Sequence, residues 1–188
     1  VTTNVITTAE NMIFINSRER RTGNFVFGFS EDGRRCLLAI AVSRGGIGDI
    51  DVKTINGNNY LFMAGAVGRR AGIFKSCNLN TMQCRETTFN DSNHISRRFG
   101  GFSVNNEGTT IYFSHHGENG DLVGYALEPQ GGAFDLGDEQ RRCSAINGPT
   151  LTSQMAFATG VEVSPDNSNI VYTTCLLYTS DAADDRSC

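Results

Sequence analysis

Four stretches of the chain share one pattern, a few alternating residues, a polar turn and then a short apolar run. They are Asn4–Asn16, Ile50–Gly65, Gly101–His116 and Val161–Thr174. Alternation with a period of two puts successive side chains on opposite faces of a strand. The turns between (AEN, NGN, NEG and PDNSN) carry the Asn, Asp and Gly that positive φ or side-chain capping requires. Each stretch therefore predicts a β-hairpin. With the last residue of each apolar triplet, or its equivalent, as anchor, Phe14, Phe62, Phe113 and Thr173 recur at spacings of 48, 51 and 60 residues.

A second strand pair follows each of the first three hairpins. Its first member is Asn24–Phe29, Gly72–Leu79 or Asp121–Leu127, and its second begins at Cys36, Cys84 or Cys143. From anchor to cysteine is 22, 22 and 30 residues. The longer third gap coincides with Glu128–Gln140, read as a loop-like insertion, so the three cysteines are expected at equivalent strand positions. Four short antiparallel strands in a unit of about 40–50 residues match the blade of a β-propeller. A single four-stranded sheet cannot bury both faces and must stack on its neighbours. The expected fold is all-β, a partial β-propeller of about three four-stranded antiparallel blades plus the start of a fourth. The blades fall at about 4–44, 50–90, 99–147 and 159–174, within an incomplete domain over 4–174. A β-sandwich is the alternative.

The units FSVNNEGTTIYFSH and VEVSPDNSNIVYTT resemble the SPDG-x-x-I/L-Y/F signature of TolB-like and YVTN (lactonase-like) propeller repeats. The run IFKSCNLNTMQCRE is similar to YVTN-type repeats whose third and fourth strands each carry a cysteine. Only this unit has both. At the third-strand position Phe29 and the region around Tyr125 stand opposite Cys36 and Cys143. The run CLLYTSDAADD (175–185) resembles a translated sequencing-library adapter, so residues 175–188 are expected to be a non-native tail. The chain begins at Val1 without a basic and apolar leader, which reads as a processed product or a fragment.

Composition narrows the function classes. Hydrophobic residues make up 39%, charged residues 19%, and mean hydropathy is −0.26, values of a globular chain. No apolar run approaches the roughly 20 residues a membrane-spanning helix needs. A net charge of −4 leaves no broad basic footprint, and nucleic acid is not an expected partner. Cys77 and Cys84 flank a turn. A disulfide, two buried thiols or a metal site all suit that spacing; no CxxC supports the last, and His94 lies ten residues beyond Cys84. A disulfide, together with the sequon at Asn90, points to an extracellular or periplasmic setting.

The most suggestive polar cluster runs from His115 and His116 through Glu118 to Asp121. Imidazole and carboxylate together could transfer protons or bind a divalent metal, though adjacent histidines on a strand face opposite ways. Arg97 and Arg98 precede the first strand of the third unit, where guanidinium groups could clamp carboxylates or phosphates. No motif identifies a cofactor, and no GxSxG marks a nucleophile. The leading expectation is a non-enzymatic ligand- or protein-binding scaffold that engages a protein, peptide or glycan and packs against the remaining blades of a longer chain. The alternative is a lactonase-like or other hydrolase using a metal or a His/Glu group in the propeller channel.

Overall fold

The computed structural model describes residues 2–9, 12–19, 23–42, 46–67, 71–89, 99–115, 122–143, 156–168 and 170–177. They form strands and turns and no helix. The first sheet contains β1 (Thr2–Ala9), β2 (Met12–Glu19), β3 (Gly23–Ser30) and β4 (Cys36–Val42). The second holds β5 (Gly46–Ile55), β6 (Asn58–Val67), β7 (Ala71–Asn78) and β8 (Cys84–Phe89), and the third β9 (Phe99–Val104), β10 (Thr110–His115), β11 (Leu122–Gln130) and β12 (Ala133–Cys143). A two-stranded sheet of β13 (Ala156–Val163) and β14 (Val171–Leu177) follows. Each four-stranded sheet is a meander with its strands in chain order. The predicted turns fix this order locally: Asn56 and Gly57, at φ 51° and 77°, close the β5–β6 hairpin in the left-handed region that Asn-Gly favours.

The sheets stack face to face. The surface between the first and second is sealed by Phe14, Val26, Ile40 and Val42 on one side and Ile50, Leu61, Met63 and Ile73 on the other. Between the second and third, Phe62 and Phe74 meet Phe113, Tyr125 and Phe134. The first strands of successive sheets lie side by side, β1 by β5, β5 by β9 and β9 by β13. Two separate cores and a row of adjacent inner strands exclude a sandwich, whose two sheets would share one core. The face of the first sheet turned away from the second carries Phe25, Phe27 and Phe29, a half-buried ladder with ring centroids 5.8 and 6.4 Å apart.

Two expectations need correction. Glu128–Gln140 is not an insertion. Gly131 and Gly132, both at positive φ, turn the chain tightly so that Gln130 pairs with Ala133, and the fourth strand starts ten residues before Cys143. Cys36 and Cys84 therefore open their strands, whereas Cys143 ends β12. The third anchor also slips by one residue. Phe14 and Phe62 each face the next sheet, but Phe113 faces the second sheet through Phe89, and Tyr112 faces onward. A one-residue offset reverses the face of every side chain in a strand. Phe14, Phe62 and Tyr112 pair on the third strand with Gly28, Ser76 and Gly124, small residues that leave room for the rings.

β14 continues through Cys175, Leu176 and Leu177, whose backbones pair with Ala158, Phe157 and Ala156. Residues 178–188 lie outside the described residues, as do the side chains of 173–177.

Candidate functional site

His115 is the last residue of β10 and pairs through its backbone with Phe99, the first residue of β9. Its side chain, together with His116, Glu118, Asp121, Arg97 and Arg98, lies outside the described residues, as does His94. Cys77 and Cys84 are a cross-strand pair joined by a disulfide, with Cα atoms 4.1 Å apart. The equivalent pair in the first sheet is Phe29 and Cys36, on a turn of the same length closed by the same kind of hydrogen bond. Cys36 is a free, exposed thiol. The disulfide closes a short loop, so reduction is expected to cost about 2 kcal/mol in urea unfolding, and a Cys77→Ala/Cys84→Ala chain should show no further loss on reduction.

A set of polar groups that the motif reading passed over lies on the inner strands. Asp49, Asp51 and Lys53 alternate along β5, which puts them on one face. Asp49 accepts a hydrogen bond from the Phe102 amide at 2.9 Å and Asp51 one from the Val104 amide at 3.3 Å. Those amides lie on the edge of β9 away from β10, where no strand pairs with them. Ser103 Oγ does the same one sheet further on, accepting from the Val163 amide at 3.1 Å. Side chains thus satisfy the edge of each following sheet, where no backbone ladder exists. Lys53 Nζ lies 3.7 Å from Asp51 and 3.4 Å from Glu162 of β13, reaching past the third sheet because the inner strands gather about one axis.

Burial sets the protonation of the two aspartates. It pushes both Asp49 and Asp51 up to about 6, although the amide donors favour the charged forms and Lys53 adds a favourable charge at Asp51. The sequence signal was the alternation D-I-D-V-K on a strand that should be apolar. Outer strands add further ties. Ser76 Oγ both donates to the carbonyl and accepts from the amide of Phe134, each at 2.7 Å, and Asp135 takes hydrogen bonds from Arg85 and Thr87. Burial opposes ionisation of Asp135, but the donors from Thr87 and Arg85 prevail and hold it below its ordinary value.

A groove of about 260 Å³ opens at the turn end of the third and fourth sheets, lined by Asn105, Glu107, Thr109, Thr110, Tyr112, Arg141 and Ser168. Its turn is rigid. Asn105 Oδ1 accepts from the Thr109 and Thr110 amides at 2.8 and 2.9 Å, while Asn106 Nδ2 donates to the carbonyls of Ser164 and Pro165. Tyr112 and Arg141 flank Gly124 on the face turned toward the fourth sheet. Among the described residues no three His, Cys, Asp or Glu side chains converge as metal ligands, and no helix is long and apolar enough to cross a membrane.

No protein-family model matches the chain, and no curated protein matches it in sequence. Among solved structures it is similar to the crystal structure of the β-propeller domain of Cps50 (Swd1) from Myceliophteria thermophila. The TM-score is 0.54 at 12% sequence identity, over 85% of this chain and 46% of that one. The chain thus spans just under half the length of the structure it matches. The likeness concerns architecture, and it agrees with the stacked meanders and the gathered inner strands. The chain has the fold of a partial β-propeller, three four-stranded blades followed by a two-stranded sheet.

Proposed function

We propose that the chain is part of a protein-binding, non-enzymatic β-propeller scaffold that engages its partner at the turns on the rim of its blades. The observation that carries this reading is the groove between the third and fourth sheets. It is open, it presents hydroxyl, amide, carboxylate and guanidinium groups, and its walls are held by turn hydrogen bonds that need no ligand. Binding sites on rigid scaffolds are commonly built from such turns. The carboxylates of the inner strands are, by contrast, engaged in holding sheet edges, which suits a framework better than a reaction centre. The turn signatures NEG and PDNSN and the Cys77–Cys84 bond support a TolB- or YVTN-type propeller, and the disulfide supports an extracellular or periplasmic setting.

The test is selection of a displayed random-peptide library on the intact chain. The scaffold reading expects a consensus whose synthetic peptide binds saturably to the folded chain and not to the unfolded one. Turnover of lactone or ester substrates with added divalent metal, abolished by His115→Ala or Glu118→Ala, would overturn it in favour of a hydrolase.

A further inference from the structure

We propose that Cys84 is a thiol-exchange site with Cys77 as its resolving partner, so that the second sheet carries a reversible couple for small thiols and disulfides of the glutathione class. Leu61, Cys77 and Cys84 are register partners across β6, β7 and β8, and the disulfide joins the last two along that row. A thiolate displaces one sulfur of a disulfide by approaching the other along the S–S axis, so access decides which sulfur is attacked. On the Cys77 side the axis leads toward Leu61, and both residues are fully shielded in the core between the first and second sheets. On the Cys84 side it leads off the sheet, because β8 is the last strand and Cys84 is exposed. The bond therefore has one open end.

Exchange there is reversible because the fold holds both sulfurs in place without the bond. Asn78 Oδ1 accepts from the amides of Asn80 and Thr81 at 2.9 and 3.2 Å, and the Asn78 amide donates to the Gln83 carbonyl at 2.9 Å. The turn is also tied to β6: the Leu79 amide donates to the Asn59 carbonyl at 2.8 Å, and the Asn59 amide to Asn80 Oδ1 at 2.9 Å. A reduced chain keeps this turn, which leaves the two thiols side by side at high effective concentration. In the opening step a glutathione thiolate attacks Cys84 Sγ. A bond forms between those two sulfurs, the Cys77–Cys84 bond breaks, and its electron pair leaves on Cys77 Sγ, which takes a proton. In the closing step the Cys77 thiolate attacks Cys84 Sγ of the mixed disulfide, re-forms the bond and expels the glutathione thiolate. If a second glutathione thiolate instead attacks the glutathione sulfur, oxidised glutathione leaves and the pair remains reduced. The first sheet supplies the contrast. Cys36 opens β4 as Cys84 opens β8, and it is free and exposed, but its register partner is Phe29, which has no sulfur to expel an adduct.

The test uses the intact protein and glutathione itself. Folded chain treated with reduced glutathione, quenched in acid and mapped by mass spectrometry should carry the trapped mixed disulfide on Cys84, at roughly ten times the level on Cys77 or more. Unfolding in urea beforehand should abolish that preference. After full reduction, oxidised glutathione should restore the Cys77–Cys84 bond while Cys36 keeps its adduct. Cys77→Ser, checked for folding by circular dichroism, should make Cys84 keep an adduct as Cys36 does; if that variant does not fold, the wild-type measurements decide alone. Equal adducts on Cys77 and Cys84 of the folded chain overturn the proposal. So does a wild-type Cys84 adduct as lasting as that on Cys36, or a bond that glutathione opens only in urea. The couple stands apart from the scaffold reading, which peptide selection on the oxidised chain tests separately.

Discussion

Phe62→Ala is expected to lower the free energy of unfolding by about 3–5 kcal/mol, measured by urea denaturation. Phe62 is fully buried and contacts Tyr60, Phe74 and Phe134, so it joins two sheets at once. Alanine there leaves a cavity between stacked faces that are held apart by their own ladders and cannot collapse freely. For a domain of ordinary stability the loss is a third or more of the total. Tyr112→Ala removes the equivalent ring, but this one borders an open groove, so its cost is expected to be clearly smaller. Equal losses at the two positions would contradict the assignment of faces.

Stability is expected to fall as pH rises from about 4 to about 6, and to level off above. Asp49 and Asp51 ordinarily titrate near 3.8 and in the folded chain near 6, so between these values the native state holds more protons than the unfolded one. The slope of unfolding free energy with pH is then negative, and each aspartate contributes about 3 kcal/mol at most. The charged groups facing this pair are Lys53 on the same strand and Glu162 on β13. Asp135 acts with the opposite sign, because its lowered value contributes stability that is lost only as pH falls below about 3.8. Maximal stability should therefore lie at mildly acid pH. Urea titrations across this range check the sign, and Asp51→Asn should remove part of the slope.

Much of the fold was legible because turn chemistry and period-two patterning are local. Asn56-Gly57 sets one hairpin outright, and Cys77 and Cys84 flank a turn that could bring them opposite each other, as the β7–β8 register does. Where reading failed, the competing signals were also local. Cys143 was a plausible strand start by analogy with Cys36 and Cys84, yet Gly131-Gly132 is the stronger determinant, since two consecutive residues at positive φ reverse a chain wherever they fall. In the triplet Ile111-Tyr112-Phe113 either Tyr112 or the pair Ile111 and Phe113 could face onward, and composition alone does not choose between them. Register against Gly124 does.

The site was far less legible. Histidines and arginines in loops attract attention because their chemistry is versatile, whereas the alternating Asp49 and Asp51 match no catalytic or ligand motif. Their role depends on β9, whose amides lie about fifty residues away in sequence and come alongside only when two sheets stack. Asp135 was hidden for the same reason, because it meets Arg85 across an interface that no single repeat contains.

The most direct examination of the stacked-sheet account is a nuclear Overhauser map of the aromatic and methyl protons of the intact chain. Contacts are expected between Val26 or Ile40 and Met63 or Ile73, and between Phe89 and Phe113, whose ring centroids lie 6.3 Å apart. None is expected between Val26 and Phe113, which belong to separate cores. Cross-peaks joining the first sheet's Val26 and Ile40 to the third sheet's Phe113 and Tyr125 would describe one shared core and contradict the account.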